Sequence, residues 1–195
     1  MNDEEILRGI ERYIADQKHV KRRHASFFYA GRKYKGIGEA SIAQEFVPSL
    51  ERILGISVDR VVNGDDPPDI VFEVNDIRKF AIELTELVNP KAITAQINKD
   101  DALYAAECLN WDSTNTCERI ESLLGKKQSV AEKIAISYER YTVLIHTDET
   151  MLTSYQVSRF VSGHKWPEYS NIDDAYVICS YEPGNGYPVI KLFGS

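Results

Sequence analysis

Paired cysteine chemistry is missing from this chain. Its three cysteines, Cys108, Cys117 and Cys179, show no CxxC spacing, and its four histidines, His19, His24, His146 and His164, are scattered. Both facts argue against a zinc site. An odd thiol count suits a reducing compartment with free or buried cysteines. No apolar run approaches the ~18 residues that a membrane-spanning helix needs. The start, Met1-Asn2-Asp3-Glu4-Glu5, is acidic and has no apolar core of a secretory signal. A cytoplasmic protein without a membrane partner is expected. Gly31, Gly36 and Gly38 follow no strand in the manner of a phosphate-binding loop. There is no Gly-x-Ser-x-Gly nucleophile motif, no internal repeat, no low-complexity stretch and no linker.

The chain has 195 residues and 43% hydrophobic content, enough for one core, so a single domain over 1–195 is expected. Net charge is −7, but it is unevenly spread. Residues 18–38 contain no Asp or Glu and seven basic residues: Lys18, Lys21, Arg22, Arg23, Arg32, Lys33 and Lys35. Phe27, Phe28, Tyr29 and Tyr34 interleave with them. Basic side chains neutralise phosphates and aromatic faces stack on bases. A solvated loop with its aromatics packed on the core has the same composition.

The apolar pattern predicts a helix over Asp3–Lys18 and a second over Glu39–Leu54, with Pro48 bending or restarting it and Gly55 ending it. The glycines of the basic segment mark turns. Strands are expected at Ile56–Val62, Asp69–Val74 and Lys79–Thr85. Asn89-Pro90 then breaks the chain, and a helix with a ragged apolar pattern is expected over Lys91–Leu109. Asp112 caps one or two further helices to about Arg140, with Gly125 as an interruption. A buried strand at Tyr141–His146, a helix at Met151–Val161 and strands at Asp174–Cys179 and Tyr187–Phe193 complete the chain. The expected class is α/β, a mixed β-sheet flanked by helices. A crossover-length helix before Tyr141 is what a parallel strand pair needs.

Centring the hairpin turn on Asp76 pairs Val74 with Arg78, Phe72 with Phe80, Ile70 with Ile82 and Asp69 with Glu83. Ile70, Phe72 and Val74 then share a face with Phe80, Ile82 and Leu84, and the two acids share the other. Opposed Cβ atoms lie roughly 4.5–5.5 Å apart, and like charges there repel. A divalent cation between them removes the objection, because hard cations take carboxylate oxygens. A solvated polar face also fits, and a one-residue slip would separate the acids.

Pro68-Asp69 opening one strand, with Glu83 inside the next, resembles the PD-(D/E)xK nuclease superfamily, the restriction-endonuclease-like fold, over roughly Glu39–Ile145. Pro67-Pro68-Asp69-Ile70 and Ile82-Glu83-Leu84-Thr85-Glu86-Leu87 are similar to an uncharacterised bacterial branch of it. The resemblance implies an αβββαβ core and a metal-dependent phosphodiesterase cutting DNA. Asp69 and Glu83 would hold Mg²⁺ or Mn²⁺, and Glu45 would be an assisting helical acid. The family's lysine belongs two residues after the glutamate, where this chain has Thr85. Lys127 is the first choice for a replacement, because its helix should cover the acidic face, with Lys126 and Lys133 next. Lys79 has the right parity but sits about 13 Å along the strand. Glu86 falls on the apolar-face parity, and His146 ends a strand beside Asp148.

The basic residues Lys21, Arg22, Arg23, Arg32, Lys33 and Lys35 would guide the phosphate backbone. RNA is not separated from DNA as substrate, and cutting both strands would suit a homodimer. The alternative is a non-catalytic protein on the same fold, a nucleic-acid- or protein-binding module of the immunity or antitoxin kind. Thr85 and the excess negative charge elsewhere favour it.

Overall fold

The computed structural model describes residues 32–75, 77–134 and 137–194, with the backbone alone at 32–37. Helix α1 (Arg32–Leu54) leads into strands β1 (Val58–Asn63), β2 (Ile70–Val74) and β3 (Arg78–Glu86). Helices α2 (Pro90–Ile97), α3 (Asp101–Cys108) and α4 (Ser113–Ile134) connect β3 to β4 (Arg140–Thr147). Helix α5 (Ser154–Val161) leads to β5 (Asp174–Cys179) and β6 (Val189–Phe193). The strands form one six-stranded sheet in sequence order. β3–β4 and β4–β5 are parallel, and the other pairs are antiparallel. The protein is thus α/β, with a mixed sheet flanked by helices and the element order αβββαβ within it.

The sheet separates two cores. On one face, Ala43, Phe46 and Leu50 of α1 pack on Ile70, Phe72, Val74, Phe80, Ile82 and Leu84. The Phe46 ring lies 5.1 Å from Tyr176 and 6.5 Å from Phe72. On the other face, Ile120, Leu124 and Ala131 of α4 and Val157 and Phe160 of α5 cover Ala81, Val143, Ile145 and Val177. β4 and β5 are buried on both faces, so they read as continuous apolar runs rather than alternating ones. β1 and β6 are the half-exposed edges.

Several boundaries differ from the sequence expectation. The first predicted helix, Asp3–Lys18, lies outside the described residues. α1 begins at Arg32, so Gly36 and Gly38 are helical rather than turn residues, and it runs unbroken through Pro48. An interior proline costs about 3 kcal/mol and a glycine about 1. Phe46 and Leu50, both fully buried, each return roughly 1.5–3 kcal/mol, and so hold the helix together across the breakers. Gly55, at φ 63°, ends α1 by donating to Glu51 O at 2.8 Å.

The single helix expected over Lys91–Leu109 is two. Asn89 caps α2 through Lys91 N at 3.0 Å, and Asp100 caps α3 through Leu103 N at 3.0 Å. Lys99 turns between them at φ 59°. Conversely, α4 passes through Gly125 without a break. The start of α2 is pinned to the end of β4. Glu149 accepts from Asn89 N at 2.5 Å and from Trp111 Nε1 at 3.1 Å. Among the described residues no helix is long and apolar enough to cross a membrane.

Candidate functional site

The β2–β3 hairpin takes the register expected from its alternation: Ile70 opposite Ile82, Phe72 opposite Phe80 and Val74 opposite Arg78. Asp69, one residue before β2, therefore faces Glu83. The ladder stops at Ile70, and the Asp69 side chain continues it: Leu84 N donates to Asp69 Oδ2 at 2.8 Å. Strand geometry aims the Leu84 carbonyl to the same side as its N–H. Ile70 and Ile82 belong to the core under α1, so Asp69 and Glu83, one residue away, belong to the α4 face.

Helix α4 supplies the cation. Ile120, Leu124, Lys127 and Ala131 fall on one stripe at helical spacing. Three of them are buried against the sheet, so the fourth must aim there too. Lys127 Nζ donates to Glu83 Oε1 at 2.6 Å. The lysine side chain is 21% exposed and the glutamate 5%. Glu83 Oε2 is buried and makes no hydrogen bond among the described residues. Burial is the largest influence on this carboxyl and raises its pKa; Lys127 pulls it down and Asp69 pushes it up. Burial and repulsion win, and the group titrates above the ordinary carboxylate range.

Tyr141 is the residue the sequence reading missed. It pairs with Ala81 in the β3–β4 ladder, two positions before Val143 pairs with Glu83. It therefore shares the acidic face, and its side chain is fully buried. Burial, then Glu83, then Asp69 drive its pKa upward, so its hydroxyl stays a proton donor beside the two carboxylates.

The other expected participants lie elsewhere. Glu45 is exposed on α1, which covers the opposite face of the sheet, so it is not part of this site. Lys126 and Lys133 are exposed on α4, off the inward stripe, and Lys79 is exposed opposite Glu73. Thr85 is half-buried on the Glu83 face. Glu86 and His146 face each other on the α1 side, with Oε1 and Nδ1 3.9 Å apart, and burial lowers the imidazole pKa. Lys21, Arg22 and Arg23 lie outside the described residues. Arg32, Lys33 and Lys35 are in the first turn of α1, with their side chains outside the description.

Gly64 sets the position of Asp69. A Cβ there would fall 2.0 Å from Pro68 O and 2.8 Å from Pro68 C. Gly64 N also donates to Asp69 O at 3.0 Å. Gly64→Ala must push backbone, and overpacking of this kind costs about 1–3 kcal/mol. Thermal unfolding should show the loss, and Asp69 should shift with Pro68, weakening any ligand it holds. An unchanged midpoint would show that the loop gives freely.

No protein-family model, curated protein or solved structure matches the chain.

Proposed function

We propose that the chain is a metal-dependent phosphodiesterase of the PD-(D/E)xK type, with DNA as its substrate. The observation that carries this reading is the Lys127 ammonium 2.6 Å from Glu83 on the face that Glu83 shares with Asp69. Two acids and a cation are thereby gathered, although the position after Glu83-Leu84 holds threonine.

The residues fit a hard divalent cation. Glu83 Oε2 is a buried oxygen without a hydrogen bond among the described residues. Asp69 lies across the strand pair from Glu83, on the same face. Among the described residues no three His, Cys, Asp or Glu converge. Mg²⁺ is ordinarily held by one or two carboxylates, with waters and substrate phosphate filling the remaining positions. Such an ion would supply an activated water and would stabilise the leaving oxygen. Lys127 would neutralise charge on the scissile phosphate and orient it. Tyr141 would keep its proton at Oη beside the two carboxylates. Leu84 N–H would fix the rotamer of Asp69.

Incubation with plasmid DNA and Mg²⁺ or Mn²⁺ tests the reading. The wild type should cut, and Glu83→Ala should not. Cutting by Glu83→Ala at the wild-type rate would remove the site from the chemistry. One observation favours a second reading: Lys127 already neutralises Glu83, as an ion pair with a purely structural role would. A wild type that binds nucleic acid yet never cuts it would support a non-catalytic binding module.

A further inference from the structure

We propose that Lys127 and a divalent cation compete for Glu83 in the free protein and become cooperative only when a phosphodiester enters, so that nucleic acid recruits the ion. This inference rests on the function proposed above. Glu83 Oε1 is already taken by Lys127 Nζ at 2.6 Å. Asp69 Oδ2 already accepts from Leu84 N. An arriving ion therefore meets a carboxylate whose accessible charge has been answered by an ammonium.

Charge decides the order of events. The two carboxylates and the ammonium together carry one negative charge. A divalent ion added to them leaves one positive charge in a recessed site, where like charges interact strongly. Lys127 is then beside a dication with its carboxylate partner shared. A phosphodiester brings one negative charge and restores neutrality. Its oxygens also offer Lys127 a new acceptor. The lysine can make that exchange, because it sits on a flexible four-carbon stem and is 21% exposed. Glu83 Oε1 then turns to the ion. Linkage makes the effect reciprocal: the ion raises phosphate affinity by the factor by which phosphate raises ion affinity. The arrangement would keep the protein from holding a reactive ion before substrate is present.

The test is direct Mn²⁺ binding, read from the free-ion electron paramagnetic resonance signal at a pH high enough to ionise Glu83. Wild type, Lys127→Met and Lys127→Gln are compared with and without a phosphorothioate DNA oligonucleotide. Both variants should bind Mn²⁺ about tenfold more tightly than the wild type without DNA, within the roughly 5–150-fold range of site–site coupling. The oligonucleotide should tighten Mn²⁺ binding severalfold more in the wild type than in the variants, where only direct phosphate contact with the ion remains. Lys127→Met keeps the volume and Lys127→Gln keeps a donor, so agreement between them separates charge from packing. Equal or weaker Mn²⁺ binding in both variants would overturn the competition. Tighter binding in the variants with no DNA effect on the wild type would overturn the recruitment. Loss of Mn²⁺ binding from every form, wild type included, would instead remove the metal site and with it the proposed function.

Discussion

Asp69→Asn is expected to stabilise the cation-free protein and abolish its divalent-ion binding, whereas Asp69→Ala should destabilise it. The two substitutions separate charge from hydrogen bonding. Asp69 is an acceptor for Leu84 N at 2.8 Å in a buried position. It is also a like charge facing Glu83, whose pKa it helps to raise. Asparagine keeps an oxygen for the Leu84 N–H and deletes the repulsion. Opposed like charges across strands cost up to about 1 kcal/mol, and relief of that size lifts the midpoint of a chain this long by about 2–4 °C. Alanine leaves the Leu84 N–H buried without its acceptor, a loss of about 1–3 kcal/mol. Cation affinity should fall at least ~100-fold in both, more than is typical for partners outside the coordination shell. Opposite midpoint shifts with a shared loss of binding would mark a site where ligand binding is favoured over stability. Retention of Mn²⁺ binding by Asp69→Asn would show that the carboxylate is there for the strand alone.

The hairpin was legible because everything that sets it is local. Ile70, Phe72, Phe80 and Ile82 alternate around a turn; alternation fixes the buried face and the short turn selects the register. Lys127 was legible because a crossover helix must cover the sheet beside it. Ile120, Leu124 and Ala131 show which side of that helix faces inward. Glu45 failed for a reason outside its own helix. Its stripe neighbours identify the apolar side of α1, but the chain pattern does not say which face of the sheet α1 covers. Tyr141 escaped for a similar reason: its approach to Glu83 depends on the parallel β3–β4 register, a pairing between segments far apart in the chain. The break between α2 and α3 was readable in principle from Asp100, whose side chain caps Leu103 N, but a ragged apolar pattern hid it. In α1, fully buried Phe46 and Leu50 outweigh glycine and proline signals that local propensity takes as stops.

In cation-free solution the protein should lose stability as pH rises above the ordinary carboxylate range, and Mg²⁺ or Mn²⁺ should remove part of that loss. Glu83 has a raised pKa, with burial as the leading cause. A carboxyl raised in the folded state holds its proton more tightly there than in the unfolded chain. Its contribution is therefore fully present below the unfolded value and disappears as pH climbs through the folded one. A divalent ion binds the ionised form, so its affinity should rise across the same window and oppose the loss. Two other buried groups shape the profile. Asp174 is raised by burial, against the pull of Arg140, and adds a slope of the same sign. His146 is lowered by burial, so its contribution is present above the unfolded imidazole value and is lost as pH falls through the folded one. Neither lies on the Glu83 face: Asp174 pairs with Thr142 and His146 with Glu86, all on the α1 side. The ion should leave their slopes untouched. Glu83→Gln isolates the assignment, since it should erase the ion-dependent part of the pH profile and keep the rest. A profile that responds to the ion as strongly in Glu83→Gln as in the wild type would move the binding site away from this pair of strands.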